Sequence, residues 1–185
     1  MSNLPTMPER KPLEADRGDD AVLDPAASPV MRALRIGSSP LGWWRMLPAD
    51  AFRAADHLRI GTALDEVAIA LANSRIAPAL NGDPDAAIAL VLSLMPIRTR
   101  SPAVDVAMTA VLHCALDGDL RCALVLGHII DRADLDPVHA ANLCASWFEF
   151  HLHHSPSRVG FTAADKAVLK ALHAFDTCAP EDAHT

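Results

Sequence analysis

Residues 101–137 read SPAVDVAMTAVLHCALDGDLRCALVLGHIIDRADLDP. Two capping signals, Ser101-Pro102 and Asp136-Pro137, bracket this stretch, and an Asp117-Gly118-Asp119 turn divides it. Ser and Asp side chains satisfy the free N–H groups of a helix's first turn. Proline is favoured at the first helical position because its missing N–H has no intrahelical partner there. A further signal, Asp83-Pro84, lies upstream, so the helix starts fall at 83, 101, 119 and 136, at intervals of 18, 18 and 17 residues. A helix of about 13 residues plus a short loop fits each interval. Short loops force successive helices antiparallel, which makes the expected unit a helical hairpin of 35 or 36 residues.

Composition points the same way. The 185-residue chain holds 34 alanines against 8 glycines, has no tyrosine, and is 4% aromatic. Alanine is the best helix former, whereas aromatic and β-branched residues favour strands, so the class is all-α. With 51% hydrophobic residues the chain can bury a sizeable core. A net charge of -7 argues against a nucleic-acid partner, because little phosphate counterion would be released. No apolar run reaches the roughly 18 residues of a membrane span, so no membrane partner is expected either. Met1 to Asp20 is polar and acid-bearing, unlike a secretory signal or mitochondrial presequence. A cytoplasmic location follows, with Cys114, Cys122, Cys144 and Cys178 as free thiols. The excess of 13 Arg over 3 Lys fits a GC-rich bacterial genome.

The organisation reads as follows. Residues 1–40, with Pro5, Pro8, Pro12 and Pro25, form a mostly disordered tail in which Ser28-Pro29 can cap a short helix over 29–36. Residues 41–176 form a single all-helical domain, and 177–185 a C-terminal tail. Within the domain, Pro48 starts a helix to about Ile60, and Thr62 with Asp65 starts another to about Ala77. Ala86 to Met95, apolar nearly all round, reads as the central core helix. Thr162 caps a last helix to about Phe175.

A fixed period in the middle thirties marks stacked helical hairpins. The segment Asp117-Gly118-Asp119-Leu120-Arg121-Cys122-Ala123-Leu124 resembles the second helix of a tetratricopeptide-type repeat; the family's Trp-x-x-Leu-Gly signature is absent from Pro102 to Leu116. The resemblance implies a superhelical surface that holds peptides or partner proteins. The expected fold is all-α, antiparallel helical hairpins in a TPR-like α-solenoid. A closed six- to seven-helix bundle is the alternative, since it has the same short loops.

Candidate functional residues fall into three groups. Trp43-Trp44, two of the three tryptophans, precede the regular helices. They read either as a strap over the first hairpin or as an anchor for another protein. Asp105, Thr109 and His113 recur every four residues, so they line one stripe of a helix. With His139 and Asn142 they form the expected inner surface for a protein or peptide partner. The aromatics Trp147, Phe148 and Phe150 are too crowded for one core stripe and call for a neighbouring helix, the tryptophan segment or a second copy. Cys144, His151 and His154 are the candidate metal ligands, on a His-rich helix end. Cys114 and Cys122 lie nearly symmetrically about the 117–119 turn and can face each other. Phosphate loops, nucleophile elbows and His-Glu-x-x-His motifs are absent, so no cofactor and no catalytic residue is expected. The sequence therefore points to a non-enzymatic interaction module: an adaptor, scaffold or chaperone that could also self-associate. A metal- or small-molecule-responsive regulator using the His and Cys positions is the alternative.

Overall fold

The four capping signals act as their chemistry dictates. In a computed structural model that describes residues 39–71, 74–97, 99–155 and 160–176, the Asp83 carboxylate accepts from the backbone N–H groups of Asp85 and Ala86. Ser101 accepts from Val104 N–H, Asp119 from Arg121 and Cys122, and Asp136 from His139. Seven α-helices are present among the described residues, and no strand. They are α1 (Ala54–Ala70), α2 (Ala77–Leu80), α3 (Pro84–Ser93), α4 (Pro102–Leu116), α5 (Leu120–Arg132), α6 (Pro137–His154) and α7 (Ala163–Asp176). Two 3-10 turns, Pro40–Arg45 and Ala49–Ala51, precede them. At Thr162 the expected cap is present as a reciprocal box: its hydroxyl accepts from Asp165 N–H, and the Asp165 carboxylate accepts from Thr162 N–H. The expected tail helix over 29–36, the rest of residues 1–38 and the tail at 177–185 lie outside the described residues.

Helix length is less regular than helix start. The four capped helices run 10, 15, 13 and 18 residues, so the even spacing of caps hides unequal loops. A second departure is at Gly61-Thr62, where the sequence suggests a break. The chain instead continues as one 17-residue helix, because the Thr62 hydroxyl turns back to donate to the Leu58 carbonyl at 3.0 Å rather than capping a new start. The start moves to Arg53, whose N–H donates to the Asp56 carboxylate. Pro48 therefore opens only the short Ala49–Ala51 turn, and α1 ends at Ala70 rather than near Ala77.

The centre of the molecule is also displaced from expectation. Only Ala87, Ile88 and Val91 of α3 are buried, and Ala89 and Ser93 face solvent. The core is instead the pair α4 and α5, each buried almost all round. α4 packs against α1, α3, α5 and the first 3-10 turn, while α5 also meets α6 and α7. The apolar composition of α3 and α4 is similar; what separates them is the number of neighbours, which only the tertiary arrangement supplies. Small residues let helices approach closely here. Gly127 in α5 leaves the space that the Phe148 ring fills, since a Cβ there would stand 3.2 Å from it. Phe148 thus finds the neighbouring-helix contact that the aromatic crowding demands, and Trp147 packs fully buried between Phe52 and Phe150. At the surface, Arg121 ties the starts of α3 and α5 together through Asp85 and Asp119, both at 2.6 Å.

Candidate functional site

The polar stripe of α4 separates into two places. Its first half is internal. Asp105 accepts from the Trp44 indole N–H at 3.0 Å and from Arg45 Nε and a guanidinium N–H at 3.2 and 3.0 Å. One turn later the Thr109 hydroxyl, fully buried, faces the carbonyls of Leu41 and Asp105 at 2.8 and 2.6 Å. Trp44 is 1% exposed. The 3-10 turn Pro40–Arg45 is therefore a strap closed over α4, and Trp44, Asp105 and Thr109 form its clasp rather than an open surface. His139 joins this layer from α6 by donating from Nε2 to the Arg45 carbonyl at 3.0 Å. Asn142 is exposed on the same helix. Trp43, next to the buried indole, is only partly covered and borders a groove of about 550 Å³ with Pro40, Leu58, Arg59, Thr62 and Ala63.

The second half of the stripe belongs to a different cluster. His113 lies one turn before the end of α4, and Asp117 caps that end. His57 approaches from α1, so its ring centroid is 4.7 Å from that of His113. His57 Nε2 is 3.3 Å from one Asp117 oxygen, and His113 Nδ1 is 3.3 Å from the other. Both ring nitrogens are buried and lack a hydrogen-bond partner of proper geometry. Two glycines shape the recess. A Cβ on Gly61 would stand 3.3 Å from His113 Nε2, and one on Gly82 would stand 3.7 Å from Nδ1. Gly82 also has φ +85°, a conformation that glycine adopts without strain.

Behind His113 sits the thiol pair. Cys114 and Cys122 are both buried and free, and they meet across the hairpin as the symmetry about residues 117–119 suggests. Hydrogen bonding from Cys122, reinforced by His113, lowers the Cys114 pKa, while the same contact and burial raise that of Cys122. The Cys114 thiol raises the His113 pKa against the lowering effect of burial, with Asp117 adding to the rise.

The three sequence candidates for metal binding do not converge on one point among the described residues. His151, 1% exposed, donates from Nδ1 to the Leu120 carbonyl at 3.1 Å and turns Nε2 towards Asp165 at 3.8 Å. His154 donates to the Phe150 carbonyl at 2.8 Å and stacks on that ring. Cys144 is half-buried, and burial pushes its thiol pKa up. His57 is the residue that sequence reasoning missed. Its signal was indirect: a histidine four residues before Gly61, with an i, i+4 His113/Asp117 pair at a distant helix end.

Comparison of the chain with protein-family models, with curated proteins and with solved structures finds no match.

Proposed function

We propose that the chain is a non-enzymatic, cytoplasmic protein-interaction module whose contact surface is the outer face of α1 beside Trp43. The observation that carries this reading is an apolar surface left uncovered where the interior is otherwise well filled. Leu58 is 75% and Ile69 77% exposed on that helix, and their spacing of eleven residues places them on one side. The groove beside Leu58 offers a partly covered tryptophan, a residue type enriched where binding energy concentrates. Arg59 and Glu66 on the rim supply charges that can select a partner. The partner is a protein or peptide. No helix among the described residues is long and apolar enough to cross a membrane.

Of the two architectures, burial of α4 and α5 on nearly every side supports the closed bundle, while the regular capped hairpins are what support the TPR-like solenoid. The strap over Asp105 and Thr109 shifts the proposed surface away from the inner stripe and onto α1. The metal-responsive alternative finds little support at Cys144, His151 and His154, which do not bring three ligand atoms together among the described residues.

The test compares the tagged full-length chain with Leu58→Glu in its native cytosol, after cross-linking. An exposed substitution of this kind leaves stability within about 0.5 kcal/mol, so both forms fold. A stoichiometric protein held by the wild type and lost from Leu58→Glu supports the reading, and so does a homodimer that the substitution dissociates. A monomer that holds nothing, or an identical set held by both forms, overturns it.

A further inference from the structure

We infer that His57, His113 and Asp117 form a binding site for a divalent first-row transition metal of the zinc class. This inference is independent of the interaction surface on α1. Three observations carry it. The donor set is two imidazoles and one carboxylate, a combination that suits zinc and its neighbours and leaves room for solvent ligands. The candidate ligand atoms lie within 4.8 Å of one another, and each imidazole nitrogen is 3.3 Å from an Asp117 oxygen. Ligands about 2.0–2.1 Å from a tetrahedral ion stand about 3.3–3.4 Å apart, which the two nitrogen–oxygen separations match, and the set as a whole, within 4.8 Å, has only to draw together by an ångström or so. Finally, His57 Nε2 and His113 Nδ1 are buried without a hydrogen-bond partner, although each lies 3.3 Å from the Asp117 carboxylate. Buried polar atoms in native proteins are rarely left so, and an ion between them would satisfy both at once.

The surroundings fit an exchangeable ion. The His113 ring is held against the backbone at Gly61, where a side chain would intrude. Asp65 on α1 adds negative charge near His113. The Asp117 side chain is 52% exposed, which leaves the remaining coordination positions to water. Bound there, the metal would strengthen the link between α1 and the end of α4 that the His57–Asp117 contact already makes.

The experiment uses the full chain, stripped with chelator and dialysed against zinc(II), then cobalt(II). Close to one zinc per chain is expected, with a rise in melting temperature as zinc is added. The cobalt form should show visible d–d absorption without a thiolate-to-cobalt charge-transfer band. His57→Ala and Asp117→Asn, both at partly exposed positions, should fold and bind more weakly by at least the roughly 10–100-fold that follows loss of an outer partner of a metal ligand. Cys144→Ser and His154→Ala, at half-buried and exposed positions outside the cluster, should bind as the wild type does. Substoichiometric zinc at 100 µM total metal, a thiolate band, or full binding by both His57→Ala and Asp117→Asn would each overturn the assignment. Those outcomes would leave the cluster as two imidazole–carboxylate ion pairs, or move the metal to the thiols.

Discussion

Replacing Asp105 by alanine removes one acceptor shared by three donors. The Trp44 indole N–H, on a side chain 1% exposed, would have nowhere else to go. Stranding a buried donor costs about 1–3 kcal/mol. The Arg45 side chain is 24% exposed and recovers water in part, so its loss is worth about 1 kcal/mol despite the two-pronged geometry. The sum is about 2–4 kcal/mol for Asp105→Ala. Asp105→Asn keeps an oxygen for the indole but loses the charge opposite Arg45, so about 1 kcal/mol is expected. At about 2–4 °C per kcal/mol for a domain of this size, the two variants should melt about 10 °C and about 3 °C below the wild type. Urea titration followed by tryptophan fluorescence and by circular dichroism measures both, and fluorescence should report a more polar setting for Trp44 in the alanine variant. A loss below about 0.5 kcal/mol for Asp105→Ala, or equal losses for the two variants, would refute the claim that the buried indole is the larger contribution.

Three further outcomes follow from particular contacts. Gly127→Val drives two methyl groups into the Phe148 ring, which already lies 3.2 Å from where a Cβ would be; overpacking of this kind should destabilise by about 1–3 kcal/mol in chemical denaturation. Thr162→Ala removes the hydroxyl that accepts from Asp165 N–H and should lower stability by about 1 kcal/mol, with faster amide exchange in the first turn of α7. Gly118 has φ +104° and open space around it, so Gly118→Ala should cost about 1–2 kcal/mol from backbone conformation alone, measurable as a shift in urea midpoint at unchanged m.

What could be read from the letters was the chemistry that is local. Asp83, Ser101, Asp119, Asp136 and Thr162 cap their own next turn, so the first residues of five helices were legible. The facing of Cys114 and Cys122 was legible for the same reason, since a two-helix hairpin with a short turn fixes it. The Gly61-Thr62 junction was not legible. A threonine there can either cap a new helix or bond its own i−4 carbonyl, and packing against α4 decides in favour of continuity. Nor was the centre legible. α3 and α4 look alike as strings of apolar residues, and only the surrounding helices make one of them interior. The polar stripe at Asp105, Thr109 and His113 was found as a spacing, yet its destination was hidden. Two of its members clasp a segment about sixty residues earlier, and the third meets a histidine on α1.

That clasp has a bearing on how the chain is made. Trp44 leaves the ribosome 61 residues before Asp105, so every nascent molecule carries an unclothed indole until α4 emerges to receive it. Translation pausing in that interval would prolong the exposure, and messages truncated there would yield a sticky amino-terminal fragment for chaperones and proteases to clear.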